Sequence, residues 1–401
     1  MYAPKKATEC DLTILPLLDP RLKTTSMCLS VSYGSRHDPE GHGGLAHLLE
    51  HLLMSAPVGD GPSLCERVVR LGGYANAETG LEQMLFFAQV HADDTDALAD
   101  VLCRAVLTPQ LTFDALDSER DVVLQELIGA EADAKDVVQD AILAALFAGH
   151  PLGRPVGGTQ TEVRAIGLRD LIDHYTTEFL SKPMTLVVVG PRMPTLDTGS
   201  YRGAVVPWRA HRPVELGSVV EQSPSWPAEY AWVCLGARSP ARDAPSRPAY
   251  DLLAALLDAN AASLLYRRLR NEHGLAYDFY TWDRGYTESG AWRVLVGVEP
   301  GNGDRVIDVV RTALAEIAQS GPTDVDLEVA RRRAEVGLMR DSDSPFELAQ
   351  LVGAHANGGT TWSPERDLAA LQAVSASAVA EAADDVLRNL VTVVRPKGRI
   401  R

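Results

Sequence analysis

The amino-acid sequence predicts an α+β fold of two similar domains, each a β-sheet packed by helices. The two halves of the chain follow the same order of elements: an apolar strand, a long helix, further strands, more helices and a closing β-rich run. Six prolines lie between residues 191 and 227, where few apolar positions recur, and this pattern is typical of a linker. Strands and helices mixed in this order favour one α+β architecture used twice. We therefore expect domains at residues 1–195 and 229–401, joined by a linker at 196–228.

The individual elements are predicted from their apolar patterns. Apolar β-prone runs predict strands, and apolar residues spaced three or four apart predict helices. In the first half we expect a strand at 26–33, a helix at about 43–71, a strand at 81–90, long helical structure at 113–147 and a strand at 185–189. In the second half we expect a strand at 230–235, a helix at about 249–272 and a strand at 391–394.

Composition and charge exclude several classes of partner. The chain has 401 residues, of which 46% are hydrophobic and 23% are charged, so it has the composition of an ordinary globular protein. Its 38 basic and 54 acidic residues give a net charge of −16. Nucleic acids and anionic lipids both attract basic surfaces, so we expect neither a nucleic acid nor a membrane as a partner.

Segments that direct a chain to or through a membrane are not expected. The N-terminal residues contain no apolar core of the length that a signal peptide needs, and no later apolar run reaches about 18 residues. The five cysteines are widely scattered and form no C-x-x-C pair. This pattern fits neither a disulfide framework nor a cysteine zinc site, and it favours a cytoplasmic location.

The most informative motif is H-x-x-E-H, formed by His47, Glu50 and His51. On a helix, residues four apart lie on the same face, so both imidazoles can reach one metal ion. A catalytic Zn²⁺ takes three protein ligands and keeps one position for water, whose proton a nearby carboxylate can accept. Glu50 is the candidate for this general base. Two histidines on an ordinary surface helix are the alternative.

A candidate for the third ligand comes from a later helix. Glu119 and Glu126 lie seven residues apart, and Glu126 follows His51 by 75 residues. Seven residues are two helical turns, so the two carboxylates share a face. By itself this pair could also be a solvated acidic stripe.

Together these motifs resemble the inverted-zincin metallopeptidases of the pitrilysin/insulinase type (M16), most closely the short two-domain bacterial branch related to mitochondrial processing peptidase. The resemblance implies one Zn²⁺ per chain, held by His47, His51 and Glu126. It implies that Glu50 is the general base and that Glu119 supports the site from behind the ligands. It also implies that each chain is half of a clamshell.

Further segments match the same family. Residues 72–77 (GGYANA) match the family's G-G-x-x-N-A segment, which implies that Asn76 and Ala77 align substrate on a strand edge. Residues 150–159 (HPLGRPVGGT) resemble the family's H-P-L-G-R-P-I-x-G-T loop, and residues 270–277 (RNEHGLAY) resemble its R-E-x-x-G-L-A-Y segment. The latter match implies that Arg270 and Tyr277 bind substrate and stabilise an oxyanion.

The chain also departs from the family pattern in two places. The apolar run 52–56 replaces a phenylalanine-rich flank, and residues 258–263 replace a glycine-rich turn before the Arg–Tyr segment. The second departure concerns substrate contacts and leaves the zinc ligands untouched.

The resemblance implies a zinc endopeptidase that hydrolyses extended, unstructured peptides inside a closed chamber. Because one chain encodes both half-sites, we expect a homodimer with composite active sites, or a heterodimer with an inactive relative. The alternative function is a non-catalytic peptide-binding subunit of a heterodimeric peptidase.

Other enzyme classes have little support. Residues 41–46 fit the dinucleotide fingerprint G-x-G-x-x-A, but no strand directly precedes them and the region about 20 residues on looks helical. Neither a G-x-S-x-G elbow nor a P-loop motif is present.

Overall fold

A computed structural model describes residues 12–196, 214–220, 224–357 and 362–397. The predicted linker at 196–228 therefore lies largely outside the described residues, and the predicted domain boundaries stay a prediction. The described strands are β1 (Leu12–Leu18), β2 (Thr24–Val31), β3 (Pro57–Val58), β4 (Gly61–Ser63), β5 (Tyr74–Thr79), β6 (Met84–His91), β7 (Met184–Gly190), β8 (Ala231–Ser239), β9 (Phe279–Gly285), β10 (Gly290–Val298) and β11 (Val391–Arg395).

The helices account for most of the remaining described residues. They are α1 (Leu45–Ser55), α2 (Leu64–Arg70), α3 (Thr95–Leu107), α4 (Phe113–Ala132), α5 (Ala134–Leu146), α6 (Gln160–Ala165), α7 (Leu168–Thr177), α8 (Arg247–Leu257), α9 (Gly303–Ser320), α10 (Asp324–Asp343), α11 (Pro345–Asn357), α12 (Pro364–Ala373) and α13 (Ala376–Arg388). A π-helical turn spans Tyr266–Glu272. Across the described ranges, none of these helices combines the length and the apolar character needed to cross a bilayer.

The chain divides into two compact units that are not contiguous in sequence. Unit 1 comprises the described parts of 1–128, 154–210 and 340–362, and unit 2 comprises those of 129–153, 211–339 and 363–401. Each unit thus includes one helix from the opposite half of the chain, α11 in unit 1 and α5 in unit 2. Both units have a sheet packed by helices, which confirms the predicted α+β fold.

The sheet of unit 1 has five strands in the order β1-β7-β2-β6-β5. Only β1 and β7 pair in parallel. One face packs on α1, α2 and α3 in the main core, and α11 covers the other face at β2, β6 and β7. Strand β5 pairs with β6 alone, so its outer edge is open within the described part of the sheet.

The sheet of unit 2 has four antiparallel strands in the order β11-β8-β10-β9. Its core face packs against α8, α9 and α13, and α5 contacts the opposite face at β8 and β11.

Two predicted long helices are wrong as continuous elements. The first, at 43–71, is split into α1 and α2 by Pro57, Gly59, Gly61 and Pro62, because a proline disfavours helical backbone at the residue before it. Ala56 is accordingly extended, and the segment forms the β3–β4 hairpin. The second, at 249–272, is interrupted after α8, and helical backbone resumes at Leu264, directly before the π-helical turn. The predicted helical segment 113–147 is confirmed, with a break at Asp133 between α4 and α5.

Candidate metal centre

Helix α1 presents H-x-x-E-H on one face and buries the other. The side chains of its buried face, Leu45, Leu48, Leu49, Leu52 and Leu53, are fully buried in the core of unit 1. Full burial of one such side chain contributes about 1.5–3 kcal/mol. The position of α1 on the sheet is therefore strongly determined, and with it the positions of the ligands that α1 carries.

The start of α1 is held by an acidic side chain from the preceding loop. The Asp38 carboxylate accepts hydrogen bonds from the amides of Gly44 (2.8 Å) and Ala46 (2.9 Å). These amides have no partner within the helix, so the carboxylate satisfies donors that would otherwise be unpaired. Burial raises the pKa of Asp38 to about 7, although these two bonds and the nearby Arg154 act against the rise. Arg154 also donates to the backbone oxygens of Asp38 (3.0 Å) and Arg36 (3.1 Å), which fixes the loop.

The loop at residues 150–159 packs against the start of α1, where glycines of both segments approach each other closely. Gly44 has φ +87° and Gly158 has φ +69°, values that L side chains rarely adopt. A Cβ on Gly44 would lie 2.3 Å from the oxygen of Gly157, and one on Gly158 would lie 2.1 Å from the oxygen of Gly43. Two backbone segments thus meet at a distance that only glycine permits.

Three predicted ligands converge on one point. One ligand atom from each of His47, His51 and Glu126 lies within 4.8 Å of the other two. Oε2 of Glu126 is 3.7 Å from Nε2 of His47 and 3.4 Å from Nε2 of His51. Tetrahedral ligands at about 2.0–2.2 Å from zinc are roughly 3.3–3.6 Å apart. The two distances to Glu126 are within or just above this range, and the donor set of two imidazoles and a carboxylate suits Zn²⁺.

The protonation state of His47 also suits a metal ligand. Burial, together with the neighbouring His51, lowers the pKa of His47 to about 4. Its ring is therefore neutral near neutral pH, as metal coordination requires.

Glu119 contacts His51, one of the predicted ligands, at the ring nitrogen Nδ1. Its Oε2 is 3.2 Å from Nδ1 of His51, so the carboxylate can accept a hydrogen bond from Nδ1–H and leave Nε2 free for a metal. A carboxylate in this position fixes both the tautomer and the orientation of a ligand histidine.

Glu50 connects the metal centre to strand β5. The hydroxyl of Thr79, the last residue of β5, donates a hydrogen bond to Oε2 of Glu50. Burial raises the pKa of Glu50, and the Thr79 bond acts against this rise. A carboxylate with a raised pKa is a better proton acceptor near neutral pH than an ordinary glutamate.

Asn76 and Ala77 lie on β5, whose outer edge is open. The Ala77 amide donates to Oδ1 of Asn76 at 2.9 Å, and β5 pairs with β6 on one side only. The structure therefore locates both residues on a strand edge to which an extended peptide could add.

In unit 2, the structure brings Arg270 and Tyr277 together. The Arg270 guanidinium lies over the Tyr277 ring, 4.6 Å from its centroid, and over the Tyr266 ring at 4.9 Å. Arg270 also donates to the Tyr266 hydroxyl. Tyr277 is 79% exposed, so its phenol is available to a ligand.

Sequence reasoning missed Thr79, Asp38 and Tyr266. Thr79 could have been found from the sequence, because residues two apart on a strand lie on the same face, and Thr79 follows Ala75 and Ala77 at this spacing on a predicted edge strand. Asp38 lies nine residues before His47 and outside the motif, so no local pattern identifies it as the cap of α1.

Comparisons with known proteins agree with this site. Residues 16–160 match the family model described as insulinase (peptidase family M16), and residues 205–334 match the peptidase M16 inactive domain. The chain is 29% identical over 416 aligned positions to an uncharacterized zinc protease of Mycobacterium tuberculosis, covering 100% of this chain and 94% of that protein. It is 24% identical over 401 positions to the mitochondrial-processing peptidase subunit beta of Lentinula edodes, covering 94% and 85%.

Solved structures show the same fold. A protease from Helicobacter pylori superposes with a TM-score of 0.83 at 17% identity, covering 99% of this chain and 100% of that one. A peptidase M16 inactive domain from Pseudomonas fluorescens gives a TM-score of 0.83 at 16% identity, covering 100% and 98%. With both halves matched by models of one family and the ligand motif in place, the chain belongs to the M16 (insulinase-type) family of zinc metallopeptidases.

Proposed function

We propose that this protein is a zinc-dependent endopeptidase that hydrolyses extended, unstructured peptides inside a closed chamber. The observation that carries the proposal is the convergence of His47, His51 and Glu126 beside Glu50, which itself accepts a hydrogen bond from Thr79 of β5. A metal site, a general base and a peptide-binding edge thus share one surface of unit 1.

In the proposed mechanism, each residue has a distinct task. His47, His51 and Glu126 would hold Zn²⁺, which would supply a Lewis acid for the scissile carbonyl and for the attacking water. Glu50 accepts the proton of the attacking water and delivers it to the leaving amine. Asn76 and Ala77 align the peptide at the strand edge, and Glu119 keeps His51 in the ligand tautomer.

The Arg270–Tyr277 pair of unit 2 has the chemistry to stabilise an oxyanion. A guanidinium and a phenol are donors suited to the negative charge that develops on the carbonyl oxygen. Their stacking holds the two donors in a defined relation to each other.

Elemental analysis and peptide cleavage test the proposal together. We expect about one zinc per chain, cleavage of unstructured peptides and loss of cleavage with a chelator. Glu50→Gln should keep zinc and abolish turnover. A Glu50→Gln variant that cleaves at the wild-type rate would show that Glu50 is not the base.

A second candidate is a non-catalytic peptide-binding subunit, which the match of residues 205–334 to an inactive domain favours. The same assays separate the two candidates. A wild-type protein that binds peptides without zinc and without cleavage would identify the second.

We also propose a homodimer in which the zinc site of one protomer works with the Arg270–Tyr277 pair of the other. Mixing a Glu50→Gln variant with an Arg270→Ala/Tyr277→Phe variant should then restore cleavage, since one mixed site is intact. No restoration would indicate that both half-sites act within one chain or with an inactive relative.

The cysteines of the described part are all free, which supports a cytoplasmic location.

A further inference from the structure

The two faces of strand β5 offer different contacts to a peptide added at its edge. Side chains alternate along a strand, so Ala75, Ala77 and Thr79 lie on one face and Tyr74, Asn76 and Glu78 on the other. The first face is the metal side, because Ala75 and Ala77 pack on the core that contains α1 and Thr79 bonds Glu50. The second face is the side covered by α11.

The metal side carries only small side chains in β5. Two alanines and a threonine leave room for the peptide backbone and for the group to be cut. These three side chains therefore permit the peptide backbone to approach Glu50 closely, and they offer little surface for selecting a substrate side chain.

The opposite face carries an exposed aromatic ring that is held in place. Tyr74 is 55% exposed, and its ring packs against Phe346 of α11 with centroids 5.7 Å apart at 66°. Phe346 in turn packs on Phe87, 5.5 Å away at 73°. The Tyr74 hydroxyl accepts a hydrogen bond from Nδ2 of Asn76 at 3.2 Å. The ring is thus pre-ordered, with much of its surface free.

We propose that Tyr74, supported by Phe346, is a specificity-determining residue that selects an aromatic side chain of the substrate. The proposal rests on the peptidase function proposed above. A residue directly opposite Tyr74 on an added strand has its Cβ about 4.5–5.5 Å away on the same face, a distance at which aromatic pairs interact. An aromatic substrate side chain there would continue the row formed by Phe87, Phe346 and Tyr74.

The register of β5 sets where this residue lies relative to the bond that is cut. Glu50 bonds Thr79, and Tyr74 precedes Thr79 by five residues. At about 3.3 Å per residue, Tyr74 is about 17 Å along the strand from the base. The selected residue therefore lies about five residues from the scissile bond, and peptides that end before it lose the contact.

A positional series of peptides tests the proposal. In an unstructured parent peptide, each position from two to seven residues on either side of the cleaved bond is changed in turn, once to tyrosine and once to alanine. For every peptide, kcat/KM is measured with wild type, Tyr74→Ala and Tyr74→Phe. We expect tyrosine to raise kcat/KM by about 2- to 10-fold at one position about five residues from the bond. The gain should be lost in Tyr74→Ala, be kept in Tyr74→Phe and fall in Phe346→Ala. Leu18→Ala is the control, because Leu18 is 43% exposed on β1, the opposite edge of the same sheet.

Failure of this inference can be told from failure of the proposed function. Cleavage without any positional preference for tyrosine, or with a preference that survives Tyr74→Ala, overturns the role of Tyr74 and leaves the peptidase intact. Binding of the same peptides to Glu50→Gln, measured by fluorescence anisotropy, tests the contact without turnover. Equal affinity of the tyrosine and alanine peptides there also overturns it, whether or not the wild type cleaves.

Discussion

Thr79→Val removes the hydroxyl that donates to Glu50 and keeps the shape of the side chain. The hydrogen bond stabilises the charged form of Glu50, so its loss raises a pKa that burial already raises. A general base must be deprotonated to act. Activity is therefore lost as the pH falls through the pKa of Glu50, and the variant should lose it at a higher pH than the wild type.

The size of the shift follows from the strength of one hydrogen bond to a charged group. Such a bond contributes about 1.5–3 kcal/mol, and 1.36 kcal/mol corresponds to one pH unit. We expect the acidic limb of kcat/KM to move up by about one to two pH units. At pH values below the pKa of Glu50 in both proteins, kcat/KM of the variant should be about 10- to 100-fold lower than that of wild type. Well above both pKa values, the two proteins should have similar kcat/KM.

The assay is kcat/KM against pH for one fluorogenic peptide, with zinc content measured at every pH. Thr79→Ser keeps the hydroxyl and serves as the control, with its limb close to that of wild type. An unchanged limb in Thr79→Val, or one that moves to lower pH, would refute the argument that Thr79 tunes Glu50. A uniform loss at all pH values would point instead to a disturbed β5 edge.

The remaining predictions concern the metal and the start of α1. Glu119→Gln should weaken zinc binding by about 10- to 100-fold, because a neutral amide oxygen accepts the hydrogen bond from Nδ1–H of His51 more weakly than a carboxylate does; competition with a chromophoric chelator measures this, and unchanged affinity would contradict the role of Glu119. Gly44→Ala should lower the free energy of unfolding in urea by at least about 1–2 kcal/mol, since its φ is +87° and its Cβ would meet backbone. Gly129→Ala, in the interior of α4 with open space around it, should instead raise that free energy by about 0.5–1 kcal/mol, and equal effects at the two glycines would refute this distinction.

The parts of the site that sequence could predict are those determined by helical periodicity. His47 and His51 are four apart, and Glu119 and Glu126 are seven apart, so a helix alone places each pair on one face. The structure brings the two pairs together through the packing of α1 and α4 in unit 1. The last strand of the first half, β7, could also be predicted from the sequence, because continuous runs of β-branched residues are typical of buried strands.

What sequence could not predict depends on pairing between distant segments. Thr79 reaches Glu50 because β5 lies beside α1, and Asp38 reaches the amides of Gly44 and Ala46 because its loop folds back on the helix start. The composition of the two units was also hidden. Nothing in the pattern of α11 indicates that it covers the sheet of unit 1, since an apolar helix face does not specify which sheet buries it.

The two helices that carry the predicted ligands differ in how firmly they are held. Helix α1 buries five leucines and is bonded at its start by Asp38, so His47 and His51 are fixed before any metal binds. Helix α4 buries only three of its twenty residues, and the side chain of Glu126, the predicted third ligand, is 51% exposed. Ordering an exposed glutamate has an entropy cost that metal binding would have to offset. We therefore expect α1 to set the geometry of the centre and Glu126 to adjust to the ion, while Glu119, more buried on the same helix, contacts His51.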